Sequence, residues 1–192
     1  ELKRQGIYDN TFIIFTGDNG VFHADHGLSE KYTPHEESLR TPLIIKDPRM
    51  PDHMIGTQNH DYTLNIDLAP TILDVAEIDR PEEYMGRNMA ELYLDKNVTW
   101  RKDFYYEFLT QYEHPKFMPM SEALVTKEYK YFYWTQFHFE QMFHLVKDEY
   151  EQVDLLHSDL ANTTVVRKVY DEMKTRFKEL KDLVNSARPV IL

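Results

Sequence analysis

Cysteine is absent from the 192 residues, which excludes a disulfide framework and any thiolate metal site. Positive charge is scarce: 22 Lys and Arg stand against 33 Asp and Glu, for a net charge of −11. Such a surface repels phosphates, so no nucleic-acid partner is expected, although one local basic pocket stays open. No apolar run is long enough to span a bilayer, and no stretch has the layout of a signal peptide. What remains can still build a core. Hydrophobic residues make up 42% of the chain, so disorder is not expected. The length suits one large domain or two small ones.

Residues 1–6 read as the last turn of a helix with Gly6 as its C-cap. A chain that opens just before a core strand is expected to be a fragment with residues missing upstream. Phe12, Ile13, Ile14 and Phe15 form a short apolar run of the kind found in parallel strands buried on both faces. The polar loop Thr16-Gly17-Asp18-Asn19-Gly20 follows, at the strand end where open α/β sheets bind ligands. A second buried strand is read at residues 42–46. A helix is read at residues 67–76, with Asp67 as its cap and Pro70 in its first turn.

The pattern changes after about residue 90. Aromatic and β-branched stretches at 104–109, 123–126, 129–134 and 141–145 read as a small antiparallel sheet, with Lys127-Glu128 as a hairpin turn. Val166, Val169, Tyr170, Met173, Phe177, Leu180 and Val184 recur at helical spacing, which gives a long amphipathic helix over 163–186. The expected class is α/β followed by a smaller α+β part, with domains at 1–90 and 91–192.

Several residues carry possible chemistry. Asp18 and Asn19 are adjacent oxygen donors of the kind hard cations prefer, and equally a common Asx-turn sequence. Lys31 offers a point charge for an anion, and His26 a proton or a hydrogen bond. Each also reads as an ordinary loop residue.

Taken together, the run from Asn10-Thr11 through Thr16-Gly17-Asp18-Asn19-Gly20, His26-Gly27-Leu28, Lys31 and Glu36-Glu37-Ser38-Leu39-Arg40-Thr41-Pro42 resembles the sulfatase family in order and spacing. Asn65-Ile66-Asp67-Leu68-Ala69-Pro70, Trp100-Arg101 and Gln141-Met142-Phe143-His144-Leu145 are similar to later parts of carbohydrate sulfatases. The resemblance implies the C-terminal part of an alkaline-phosphatase-like sheet domain, then a subdomain with an antiparallel sheet and a long C-terminal helix. It implies a formylglycine nucleophile in the missing N-terminal half of the same enzyme, so this segment alone is expected to be inactive. Asp18 and Asn19 match ligands of calcium or another divalent cation. Lys31 matches a lysine that binds sulfate oxygens, and His26 lies in the family's His-Gly pair. His114 falls where the subdomain borders a substrate pocket and is a candidate for touching sugar. The implied substrate is a sulfated carbohydrate, and the implied location is periplasmic or secreted. A phosphodiesterase or phosphonate monoester hydrolase on the same fold is the alternative. A non-catalytic glycan-binding module is a third reading, disfavoured because half an α/β sheet exposes edges and apolar faces.

Overall fold

The two early apolar runs form strands, and they pair with each other. The computed structural model describes residues 1–94, 97–109 and 119–188. Its elements run β1 (Ile13–Thr16), β2 (Phe22–His23), β3 (Ser29–Glu30), α1 (Glu36–Leu39), β4 (Leu43–Lys46), α2 (Leu68–Val75), β5 (Asp103–Phe108), β6 (Ser121–Thr126), β7 (Tyr129–Trp134), β8 (Phe139–His144) and α3 (Thr164–Ala187). They fall into two compact units, Glu1–Asp18 with Thr41–Arg101, and Asn19–Arg40 with Lys102–Leu192. No helix among the described residues is long and apolar enough to cross a membrane.

In the first unit, Gly6 closes the opening turn in the left-handed region at φ +72°, as a C-cap glycine should. β1 and β4 then pair antiparallel, with Phe15 opposite Ile44. This corrects the expectation of a parallel strand buried on both faces. Phe15 and Ile44 are 62% and 63% exposed, so one face of the pair is open. An apolar run of four residues reports that both faces are apolar, not which way the neighbouring strand runs or what covers it.

α2 starts where the sequence places it, but Asp67 does not cap it. The Asp67 carboxylate turns back instead. It accepts from the backbone N–H of Leu64 at 2.8 Å and of Arg87 at 2.7 Å, and it is paired with Arg101. A partner carrying five donors outcompetes the local cap. Nearby, Asp47 accepts from Arg49 and from the hydroxyl of Tyr93 at 2.8 Å, while Arg49 also reaches Asp74 at 3.0 Å. Burial pushes the Asp47 carboxyl up, but the hydrogen bonds and charge of Arg49 outweigh it and hold the pKa below its ordinary value.

The second unit is built on the four-stranded meander β5-β6-β7-β8, antiparallel throughout. The predicted hairpin turn is present: Lys127-Glu128 joins β6 to β7, and Thr126 and Tyr129 bond across it. Side chains alternate between the two faces. Leu124, Tyr131 and Met142 pack against Val166, Met173 and Phe177 of α3. Burying each such side chain is worth about 1.5–3 kcal/mol. α3 begins where its N-cap Thr163 accepts from the N–H of Val166. The opposite face carries Ala123, Phe132 and Phe143. That second apolar face is covered in part by His35, whose ring lies 4.9 Å from that of Phe132 and 6.2 Å from that of Phe143.

Candidate active-site loop

β1 ends at Thr16, and the polar loop begins at once. Within the first unit, the N–H of Gly17 donates to Thr41 Oγ1 at 3.1 Å, and Asn65 Nδ2 donates to the carbonyl of Asp18 at 2.6 Å. These bonds fix the backbone at the strand end. Asp18 itself is exposed.

Asn19 opens the second unit's part of the loop. Lys31 Nζ donates to Asn19 Oδ1 at 2.9 Å, and Asn19 Nδ2 donates to the carbonyl of Gly20 at 2.6 Å. Two predicted residues, twelve apart in sequence, are therefore brought into direct contact. The N–H of Gly20 donates to the carbonyl of Ser38 at 2.9 Å. A Cβ on Gly20 would lie 2.0 Å from the carbonyl oxygen of Glu37, so only glycine fits this approach.

The backbone from Ala24 to Tyr32 is strained at four residues. Ala24, His26, Glu30 and Tyr32 all have φ between +53° and +87°. Left-handed backbone costs a non-glycine residue roughly 1–2 kcal/mol. Such strain persists only where the surroundings over-determine it, and it gathers at functional sites. Among the contacts that hold the segment, the N–H of Tyr32 donates to Ser38 Oγ at 3.1 Å, and the Tyr32 ring lies 4.8 Å from that of Phe108.

The ring of His26 is largely covered. Its Nε2 lies 3.5 Å from Glu37 Oε1, and its centroid lies 4.5 Å from that of His35. His35 was not foreseen. It is buried, with its Nδ1 2.9 Å from Thr33 Oγ1 and its ring edge-on to Phe132 at 4.9 Å. Burial lowers its pKa to about 3, with the charges of His26 and Lys130 adding to the effect. The unfolded chain would bind a proton at this histidine below about pH 6.5. Between there and about pH 3 the unfolded state holds more protons, so folding stability falls as the pH falls. Between pH 6.5 and 5, wild type should lose about 1.6 kcal/mol more than His35→Gln. Glu151, whose buried carboxyl is pushed up, contributes the opposite slope, and it cancels in the difference between the two proteins. Urea titrations at both pH values measure this, and equal losses would refute a neutral, buried His35.

His114 lies outside the described residues. Among the described residues, no group of three or more His, Cys, Asp or Glu could hold a metal.

Residues 24–182 match the family described as N-sulphoglucosamine sulphohydrolase, C-terminal. The chain belongs to that family. Its curated relatives include an N-acetylglucosamine-6-O-sulfatase of Bacteroides thetaiotaomicron, 35% identical over 117 residues, which cover 59% of this chain and 20% of that protein. An arylsulfatase of Clostridium perfringens is 32% identical over 161 residues, covering 82% and 32%. This member of the family thus spans about a fifth to a third of the length of those relatives. A protein solved in complex with its substrate D-glucosamine-2-N,6-O-disulfate superposes with a TM-score of 0.85 at 25% identity, over 98% of this chain and 37% of that one. A phosphonate monoester hydrolase of Agrobacterium radiobacter shares the fold, with a TM-score of 0.76 at 23% identity over 93% and 37%. Both superpositions agree with the expected alkaline-phosphatase-like class.

Proposed function

We propose that this chain forms the C-terminal part of a sulfatase that, as a whole protein, hydrolyses sulfate esters of a sulfated carbohydrate. The family match across residues 24–182 carries this reading. The relatives named for N-acetylglucosamine and glucosamine sulfates make a sulfated glucosamine the first substrate to try. Lys31 is the group we assign to the sulfuryl oxygens. Its half-buried ammonium is already held on an amide oxygen, so little reorganisation is needed when an anion arrives. His26, with its ring largely covered and beside Glu37, is assigned a hydrogen bond or proton at the same loop.

Calcium or another divalent cation belongs to this proposal, with Asp18 and Asn19 as its ligands from this chain. Their chemistry fits: both offer hard oxygens, and Asn19 Oδ1 already faces a cation in Lys31. Two oxygens fill only part of a shell of six to eight, so the remaining donors come from outside these two residues. A cation there would lower the cost of negative charge on the substrate oxygens. The formylglycine nucleophile, made from a cysteine or a serine in such enzymes, is assigned to the rest of the protein. A secreted or periplasmic setting goes with the same reading.

The test is sulfate release from a 6-O-sulfated glucosamine by the whole protein, run beside a phosphonate monoester. Sulfate release should dominate. Faster turnover of the phosphonate would replace the sulfatase reading with the hydrolase one that shares this fold.

A further inference from the structure

The face of the β5–β8 sheet opposite α3 holds a charged cluster that the proposed reaction does not use. Lys130 Nζ, fully buried, lies 2.7 Å from Glu36 Oε1 and 2.9 Å from Glu151 Oε1. Glu151 Oε2 in turn accepts from the backbone N–H of Glu36 at 2.8 Å. Three charges thus converge on the first residue of α1. Buried ion clusters add little stability over well-packed apolar residues, because desolvation offsets their attraction. Their presence at the start of a four-residue helix calls for another account.

What α1 holds in place supplies it. Ser38 accepts the N–H of Gly20 on its carbonyl and the N–H of Tyr32 on its hydroxyl. Gly20 follows Asn19, and Tyr32 follows Lys31. A continuous path of short contacts therefore runs from Lys130 through Glu36 and Ser38 to both sides of the Lys31–Asn19 hydrogen bond. The strain at Glu30 and Tyr32, on either side of Lys31, means that the segment would relax if Ser38 moved.

We propose that Lys130 is a positioning residue for Lys31: with Glu151 it clamps the start of α1, and α1 fixes the two backbone segments that bring Lys31 to Asn19. The catalytic consequence rests on the sulfatase reading, whereas the clamp itself rests on the contacts alone. In this scheme Lys130 acts on the sulfate site only through Lys31.

The experiment uses the whole protein with Lys130→Met and with the double variant Lys130→Met/Glu151→Gln, which leaves no carboxylate stranded at Glu151. Amide exchange at Gly20 and Tyr32 should speed up by about tenfold or more, while that of Leu124 and Val125 in β6 stays unchanged. The value of kcat/KM for a sulfate ester should fall roughly 10- to 100-fold, as expected when a catalytic group is displaced by a fraction of its length. In a Lys31→Ala background, Lys130→Met should change kcat/KM by less than about twofold, because its effect runs through the lysine already removed. The proposal is overturned if loop exchange is unchanged, if loop and sheet loosen together, if the full loss recurs without Lys31, or if neither variant folds. If wild type releases no sulfate, the sulfatase reading falls, and the exchange data still decide the clamp.

Discussion

Replacing Lys31 by alanine in the whole protein should lower kcat/KM for a sulfate ester by about 10²–10³, the usual loss when one preorganised electrostatic donor is removed. The physical ground is where the ammonium sits. It is half-buried, 2.9 Å from Asn19 Oδ1 and 5.5 Å from the Tyr32 ring centroid. Its backbone is flanked by two left-handed residues, Glu30 and Tyr32, and is tied to Ser38. A lysine held in this way loses less freedom on meeting an anion than one waving in solvent. An ordinary surface lysine would behave otherwise. Its loss should change stability by roughly 0.5 kcal/mol or less and leave turnover alone. The two outcomes differ by orders of magnitude in one assay. Bound metal must be measured in the same samples, since Asn19 is both the partner of Lys31 and a proposed cation ligand. A variant with wild-type metal content and wild-type turnover would remove Lys31 from the sulfate site.

How far the sequence led differs between the parts, for physical reasons. The meander and α3 were legible because their faces repeat: Leu124, Tyr131 and Met142 meet Val166, Met173 and Phe177 through simple alternation and helical spacing. The Lys31–Asn19 contact was approached only through resemblance, because nothing local tells a metal loop from an Asx turn. The antiparallel direction of β4 was not legible, since pairing direction is set by the path of the chain between the strands. His35 and the Lys130–Glu36–Glu151 cluster were missed altogether. A signal for Lys130 did exist: it stands between Tyr129 and Tyr131, in a strand whose two faces both read as apolar, where an unpaired lysine would be costly. Its carboxylate partners are far off in sequence, and only the fold brings them to it. Asp67 shows the opposite error. The local rule for helix caps named the right residue for the wrong task.

Asp67→Ala should destabilise the first unit by about 3–5 kcal/mol, the range for breaking a buried ion pair from one side. Asp67 is fully buried. Its carboxylate accepts from two backbone N–H groups, of Leu64 and Arg87, and from both terminal nitrogens of Arg101. Alanine would leave all of these donors facing an apolar methyl group. Arg101 would keep one bond, to the carbonyl of Tyr62 at 3.1 Å, and would otherwise be a covered charge without its counterion. Each stranded backbone N–H adds a desolvation cost of about 1–3 kcal/mol where water cannot reach it. Asp67→Asn separates the terms. The amide keeps the shape and one acceptor oxygen, but it sets an NH₂ against the remaining donors and gives up the charge that Arg101 needs. It should therefore fall between wild type and alanine. Trp100 is a built-in reporter, because its Nε1 donates to the same Tyr62 carbonyl at 2.6 Å and its ring lies 5.1 Å from Arg101. Urea unfolding followed by tryptophan emission would read the loss. A cost below about 1 kcal/mol for Asp67→Ala would place Asp67 among surface-like aspartates and refute its role as the hub that ties α2 to the segment ending at Arg101.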